Sequence, residues 1–572
     1  MRSLPLALLL AAPLAFAQQQ QPMPPAPQIP GLPPAALTAM QAISANNLAA
    51  HTRFLADDLF EGRGPGTRGG QLANKYMATQ FALLGLLPAG DPGPDHQPTY
   101  FQRVPMVNVS ARPESTFTLT SGKESHTLTG SKDYTATSQT AAPTVDIAHA
   151  PIVFVGYGIH APELHWDDYA GIDVKGKVVL IFVNQPPSPE PSATGEPKTP
   201  FTGKALTWYG RWIYKYEEAA RQGAVGAILI HQTQMAAYPW TVISTRWGRK
   251  TSYLRDASTP RLPLAAWIHL DVATRLFAEN HLDLGTLMQQ ARTPGFKAIP
   301  LATTLTAHLV STIEPFDGNN IVARLPEPGA RPASPDNQAI FYTAHFDHLG
   351  MDPTLKGDQI FNGAIDNATG DAMLLEVARA FTQAPPPPPP LYFAAVDAEE
   401  QGLLGSEYLV EHPPIPLKSI ALDLNFEGLY IMPAGIPQQL LVTGAERTSF
   451  LPTVDSTAKA FHMQIIPDPV PSAGFYFRSD HFSFARAGVP AFSIGAGDKF
   501  EGHDLAFGQH IAADFIAHRY HQVADEYSPS MDLRANARLA ELAIALGWQA
   551  ALSPTPIAWN PGDQFAAARN RP

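Results

Sequence analysis

The sequence predicts an α/β fold, and three observations in one stretch carry that prediction. Residues 341–344 are a short apolar run of strand type, residues 372–381 place apolar side chains at helical spacing, and residues 391–396 are a second apolar strand run. Both strand runs end in side chains that bind metals. His345-Phe346-Asp347 follows the first, and Asp397-Ala398-Glu399-Glu400 follows the second. A Gly/Asn-rich loop between them delivers Asp366-Asn367. Ligands of open α/β sheets gather at the carboxyl ends of strands, so the same stretch is expected to build a site.

The residue types suit two metal ions. In His345-x-Asp347 both side chains fall on one side of an extended chain. One imidazole nitrogen can then bind a metal while the other donates to Asp347, which fixes the tautomer. Asp366 has two oxygens and can bridge two cations about 3.5–4 Å apart. The neighbouring side chains of Glu399 and Glu400 point apart, so one can bind metal while the other stays free as a base. Each piece alone reads as a structural ion pair. All three together, in this order, point to a two-metal site.

The segments HFDH (345–348), NGAIDNATG (362–370) and VDAEEQGLLGSEYL (396–409) resemble the co-catalytic zinc aminopeptidase family, which also includes glutamate carboxypeptidase. The resemblance implies a three-layer α/β/α zinc-peptidase domain with a mixed central sheet, plus a β-rich protease-associated insert. It implies two zinc ions per chain, with His345 and Glu427 on one, Glu400 and His521 on the other, and Asp366 bridging. In IALDLNFEGLY (420–430) the family has an aspartate where Glu427 stands; Asp423 is the alternative ligand. His521, in Tyr520-His521-Gln522, falls where the family has its last ligand. Ser479-Asp480-His481 matches another family segment, read as pocket wall and support for the ligands.

The mechanism implied is peptide hydrolysis by a metal-bridging hydroxide, because water on zinc has its pKa lowered to about 7. Two divalent cations against three carboxylates leave one positive charge for that hydroxide. Glu399 is the general base, passing the proton to the leaving amine, and Asp347 orients His345. Tyr476, Phe477, Arg478 and Tyr520 are the expected substrate pocket. Tyr476 and Phe477 would form an apolar wall, and Tyr520 could donate to the oxyanion. Arg478 is expected to hold the pocket through an ion pair, with a substrate carboxylate as its other use. The activity expected is removal of single residues from peptide N-termini. The alternatives are a glutamate carboxypeptidase-like hydrolase and a non-catalytic receptor-like binding protein. A one-zinc glutaminyl cyclase is disfavoured by the retained HFDH.

Composition sets outer bounds. At 572 residues the chain exceeds one core. A net charge of -12, from 39 basic and 51 acidic residues, argues against nucleic acid as a partner. Without cysteine there are no disulfides, thiolate zinc sites or cysteine nucleophiles, so any zinc rests on His, Asp and Glu. Residues 1–17 read as a signal peptide: Arg2, an apolar region over 4–14, and Ala15-Phe16-Ala17 as a cleavage site. A secreted or periplasmic protein without a membrane anchor is expected. The oligomeric state is left open.

The domains expected are the signal (1–17), a flexible Pro/Gln leader (18–34), an N-terminal peptidase part (35–100), the insert (101–305), the catalytic domain (306–552) and a tail (553–572). GRGPGTRGG (62–70) reads as a tight entry to a helix with Leu72, Tyr76, Phe81 and Leu84 inward. Within the insert, His160, His165 and His231 read as surface or core residues. Trp208, Tyr209, Trp212 and Tyr216 read as insert core or its interface. Pro385–Pro390 is expected as a stiff extended spacer.

Overall fold

Runs of apolar residues without polar alternation mark strands covered on both faces, and the central sheet is built from such runs. The computed structural model describes residues 23–187, 201, 205–236, 238–326 and 338–569. Its main strands are β1 (Phe101–Ala111), β2 (Ile299–Arg324), β3 (Ala339–His345), β4 (Leu391–Val396), β5 (Ile420–Asn425), β6 (Gln439–Thr443) and β7 (Ala491–Ala496). They lie side by side in the order β1-β2-β4-β3-β5-β7-β6. The inner pairs β4–β3, β3–β5 and β5–β7 are parallel, and β1–β2, β2–β4 and β7–β6 are antiparallel. The fold is therefore mixed α/β, as the sequence predicts.

The period-2 pleat of β3 divides its side chains between two cores. Ile340, Tyr342 and Ala344 join a core that includes the helices α1 (Arg68–Leu83), α2 (Thr369–Thr382) and a later helix, Arg534–Ala551. Ala339 and Phe341 face the opposite core with Leu409 of the helix Leu404–Glu411 and with Phe484. Helices thus cover both faces. The helix Arg534–Ala551 comes close enough for the Tyr342 hydroxyl to donate to Ala543 O at 3.1 Å. A Cβ at Gly547 would collide with that hydroxyl.

A second sheet is formed by residues 116–310. Its parallel centre is Thr144–Phe154, Val178–Phe182, Gly226–Ile230 and Leu264–Ile268, with Tyr134–Thr137 antiparallel at one edge. At the other edge the first half of β2 pairs with Thr116–Ser121 and Thr144–Phe154. The second half of β2 pairs with β1 over residues 311–321. One strand therefore belongs to both sheets.

Several expectations are corrected. Residues 23–34 do not hang free: Ile29 is buried, and Met23, Ala26 and Leu32 pack on the main core. Proline content alone does not decide disorder when apolar side chains find a groove. In α1 the inward face is Ala73, Met77, Ala78 and Phe81, whereas Leu72 is exposed. The signal peptide lies outside the described residues. Among the described residues no helix is long and apolar enough to cross a membrane.

Candidate metal centre

β3 ends at His345 and β4 ends just before Asp397, and these neighbouring parallel strands deliver both motifs to one edge of the sheet. The backbone leaves β4 through Ala398, which adopts a left-handed φ of 56°. That conformation is costly for a residue with a Cβ and is characteristic of functional turns. It lets Asp347 accept the amide N–H groups of Glu399 (2.9 Å) and Glu400 (3.3 Å). Asp347 thus holds the Glu399-Glu400 turn. The expected imidazole contact is the weaker one: His345 Nδ1 is 3.2 Å from the Asp347 carbonyl oxygen and 3.6 Å from its carboxylate.

Asp366 occupies the loop before α2 and is held by groups remote in sequence. Asp525 accepts the amides of Ile365 and Asp366 at 3.0–3.2 Å. Asn367 donates to His345 O and Phe426 O and accepts from Gly428 N at 2.7 Å, tying three loops together. A Cβ on Gly428 would strike Ile365 O, so these loops close only around a glycine. Arg63 adds a further tie: its buried guanidinium donates to Phe346 O and Gly363 O at 2.7 and 2.9 Å, and to Leu55 O and Asn362 O.

These supports bring the five sequence-predicted ligands into one cluster. His345 Nε2 is 3.4 Å from Asp366 Oδ1 and 3.7 Å from Glu427 Oε2. On the other side, His521 Nε2 is 3.3 Å from Asp366 Oδ2 and 3.0 Å from Glu400 Oε2. The two histidines therefore face opposite oxygens of one carboxylate. Donor atoms on a tetrahedral zinc ion with bonds of about 2.0–2.1 Å lie about 3.3 Å apart, and these spacings bracket that value. His521 itself has a left-handed φ of 55°. Asp423 is elsewhere, accepting from the Thr343 hydroxyl at 3.0 Å inside the sheet.

The electrostatics call for cations. Burial opposes protonation of His521, yet its hydrogen bonds to Asp366 and Glu400 raise it to about 10. His345 is likewise raised well above the ordinary imidazole range against its burial, through Glu399 and Glu427. Positive charge is wanted at the positions where metals would sit. Glu399 is raised well above the usual carboxylate range, first by burial and then by repulsion from Glu400. Its carboxylate accepts no hydrogen bond from a described residue and borders the cleft.

Two groups support the glutamate ligands, the first from the segment 479–481 expected to do so. Ser479 donates to Glu427 Oε2 at 2.8 Å while accepting from Asn425 at 2.7 Å, which aims the glutamate. His348, quoted within HFDH but given no role from sequence, has Nδ1 2.7 Å from Glu400 Oε1. Together with Asp366 and Glu400 it offers an alternative donor triad.

The pocket differs from expectation. Leu429, Tyr430, Phe475, Arg478 and Tyr520 border the cleft beside the cluster. Tyr520 stacks on His521 with ring centres 3.9 Å apart. Tyr476 and Phe477 are buried instead, packed with Trp208, Phe482 and Phe565 in the core shared with the second sheet. A short 3-10 turn over Phe475–Phe477 sends only its first ring to the cleft. The ion pair expected of Arg478 is absent among the described residues; its guanidinium lies over the Phe475 ring at 5.6 Å.

Comparison with known proteins follows the same segment. Residues 320–547, which contain all five candidate ligands, match Peptidase family M28, in agreement with the resemblance read from the motifs. The probable lipoprotein aminopeptidase LpqL of Mycobacterium tuberculosis (strain ATCC 25618 / H37Rv) is 28% identical over 212 residues, 36% of this chain and 39% of the relative. Aminopeptidase YwaD of Bacillus subtilis (strain 168) is 37% identical over 73 residues, 13% of this chain and 14% of the relative. The chain thus spans well under half the length of these curated relatives. Among solved structures, an aminopeptidase from Aneurinibacillus sp. strain AM-1 aligns with 90% of this chain and 96% of its own at 19% identity and a TM-score of 0.47.

Proposed function

We propose that this chain is a secreted zinc exopeptidase with two metal ions, an aminopeptidase that removes N-terminal residues from peptides. The observation that carries the reading is the placement of His345 and His521 against opposite oxygens of Asp366, with Glu427 and Glu400 flanking them. His345, Asp366 and Glu427 would hold one zinc; Asp366, Glu400 and His521 would hold the other. Zinc bound there supplies Lewis acidity toward the scissile carbonyl and the attacking water.

The chain's own residues divide the remaining work. Glu399, with an unengaged carboxylate at the cleft, takes a proton from the attacking water and delivers it to the leaving amine nitrogen. Asp347 keeps Glu399 and Glu400 in register through their amides. Ser479 and His348 hold the two glutamate ligands in orientation. Leu429, Tyr430 and Phe475 suit an apolar first side chain, and Tyr520, which borders the same cleft, would donate its hydroxyl to a developing oxyanion. The names of the partial relatives support the same activity. The signal-like residues 1–17 support export, and the β-rich residues 101–305 are read as a protease-associated insert flanking the cleft.

The test is metal content by plasma mass spectrometry, combined with turnover of aminoacyl-p-nitroanilides bearing free or acetylated amines. Close to two zinc per chain, loss of turnover on chelation, recovery with zinc, and activity only on free amines are expected. Full activity after complete metal removal, or equal activity on acetylated substrates, overturns the reading.

A further inference from the structure

Glu399 is aimed by its backbone. Its carboxylate borders the cleft and accepts no hydrogen bond from a described residue. Its neighbour Glu400 is held differently: His348 Nδ1 lies 2.7 Å from Oε1 and His521 Nε2 lies 3.0 Å from Oε2. The turn over residues 397–405 carries both glutamates. It has left-handed φ at two residues with side chains, Ala398 (56°) and Leu403 (65°). Such backbone persists only where its surroundings impose it. Asp347 grips the middle of the turn through the Glu399 and Glu400 amides.

The two ends of the turn are gripped from β2. Asn320 is fully buried. Its Oδ1 accepts the Asp397 N–H at 3.0 Å, and its Nδ2 donates to Gly405 O at 2.8 Å. One end offers a donor and the other an acceptor, a need that a side-chain amide meets in one orientation only. The same Nδ2 donates to Gln102 Oε1 of β1 at 2.9 Å, and Gln102 Nε2 donates to His412 O at 2.7 Å, just past the helix Leu404–Glu411. A Cβ at Gly405 would collide with Asp397 O and Asn320 Oδ1, so the ends close only around a glycine. Asn319 N adds a bond of 3.0 Å to the Asp397 carboxylate. Asn320 does not line the cleft and bonds to no candidate ligand.

We propose that Asn320 is a positioning residue for the general base: by tying Asp397 to Gly405 it sets the turn from which Glu399 reaches the attacking water. This rests on the role of Glu399 in the exopeptidase reading above. Loosening the ends of the turn misplaces Glu399, whose carboxylate has no other anchor. It spares Glu400, which two histidines hold. Misplacing a reacting group by about 1 Å can cost about 100-fold in rate.

The experiment uses full-length, zinc-loaded wild type, Asn320→Ala, Asn320→Asp, Glu399→Gln and the double variant Asn320→Ala/Glu399→Gln, with Leu-p-nitroanilide as substrate. Asn320→Asp keeps the acceptor for Asp397 N–H and removes the donor to Gly405. Both single Asn320 variants should lower kcat by about 10- to 100-fold, with zinc content unchanged and KM within about twofold of wild type. In the Glu399→Gln background Asn320→Ala should cost about threefold or less, because the base it aims is gone; a residue that only supports the fold costs the same factor in both backgrounds. Amide hydrogen exchange of a peptide spanning 397–405 should quicken about tenfold or more in Asn320→Ala, while peptides from β4 keep the wild-type rate. Should neither Asn320 variant fold, Gln102→Ala, which removes only the group backing the amide, should lower kcat by about three- to tenfold in the same pattern. A kcat within about twofold of wild type in the folded variants, losses that multiply in both backgrounds, or zinc lost in step with kcat overturns the proposal. Full turnover by Glu399→Gln overturns the base assignment instead, and absence of any turnover by zinc-loaded wild type overturns the exopeptidase reading.

Discussion

Replacing Arg63 by methionine removes a charge that is 0% exposed and strands the four carbonyls it serves: Phe346, Leu55, Asn362 and Gly363. Each buried acceptor left without a donor costs about 1–3 kcal/mol. Loss of one partner from a buried charged network typically costs about 3–5 kcal/mol. Asp371 adds to this, because burial raises its pKa and Arg63 is the leading influence opposing that rise. A net loss of about 4 kcal/mol is expected after relaxation. At about 2–4 °C per kcal/mol for a domain of 150–250 residues, the melting temperature should fall by roughly 8–16 °C. The carbonyls at stake flank His345 and precede Asp366, so zinc affinity should fall as well. Arg63→Lys keeps the charge but not the planar fork and should fall between. Differential scanning calorimetry with zinc stoichiometry reads both effects. A methionine variant melting within about 2 °C of wild type, with unchanged zinc content, would refute the clamp.

Glu399→Gln should retain zinc and the fold, since its amide contact to Asp347 is a backbone one, while kcat falls by about 10²–10⁴; stopped kinetics beside metal analysis separates the two. Ser479→Ala removes the donor aimed at Glu427 and should weaken zinc binding by about 10–100-fold, read by competition with a chelating dye. His481 is buried, and that burial depresses its pKa to about 3. The folded state therefore rejects a proton that the unfolded state accepts below about 6.5. Its stabilising contribution is complete above that pH and is lost as pH falls toward 3, amounting to about 3 kcal/mol by pH 4.5. Comparing melting temperatures of wild type and His481→Asn at pH 7 and 4.5 should show a smaller acid shift in the variant; equal shifts would count against this account.

Four of the candidate ligands were legible because they sit at or just past the end of an apolar strand run or within a glycine loop, where type and position coincide; His521, past the helix Leu505–His518, was legible only through the family resemblance. What holds them was not. Arg63 reaches Gly363 across 300 positions and Asp525 reaches Asp366 across 159. No local pattern marks a side chain whose partners are backbone groups so far away. GRGPG gave a tight helix entry and concealed the clamp. The aromatic run Phe475–Phe477 announced a cluster but not which ring meets the cleft, because a single 3-10 turn points successive side chains in different directions. Leu72 is a miss of another kind: leucine is read as inward by hydrophobicity, whereas the buried face of α1 runs through Ala73, Met77, Ala78 and Phe81 and leaves Leu72 at its exposed flank.

The 26-residue strand β2 has a mechanical consequence. At about 3.3 Å per residue it runs on the order of 80 Å as one plank nailed into both sheets, and β1 braces it through eleven consecutive register positions. No slack tether separates the β-rich half from the half that holds the metal cluster. A jaw-like swing of one half against the other would have to bend this strand and break its register with β1, so selection of what enters falls to the dimensions and charge of the cleft beside the metal cluster.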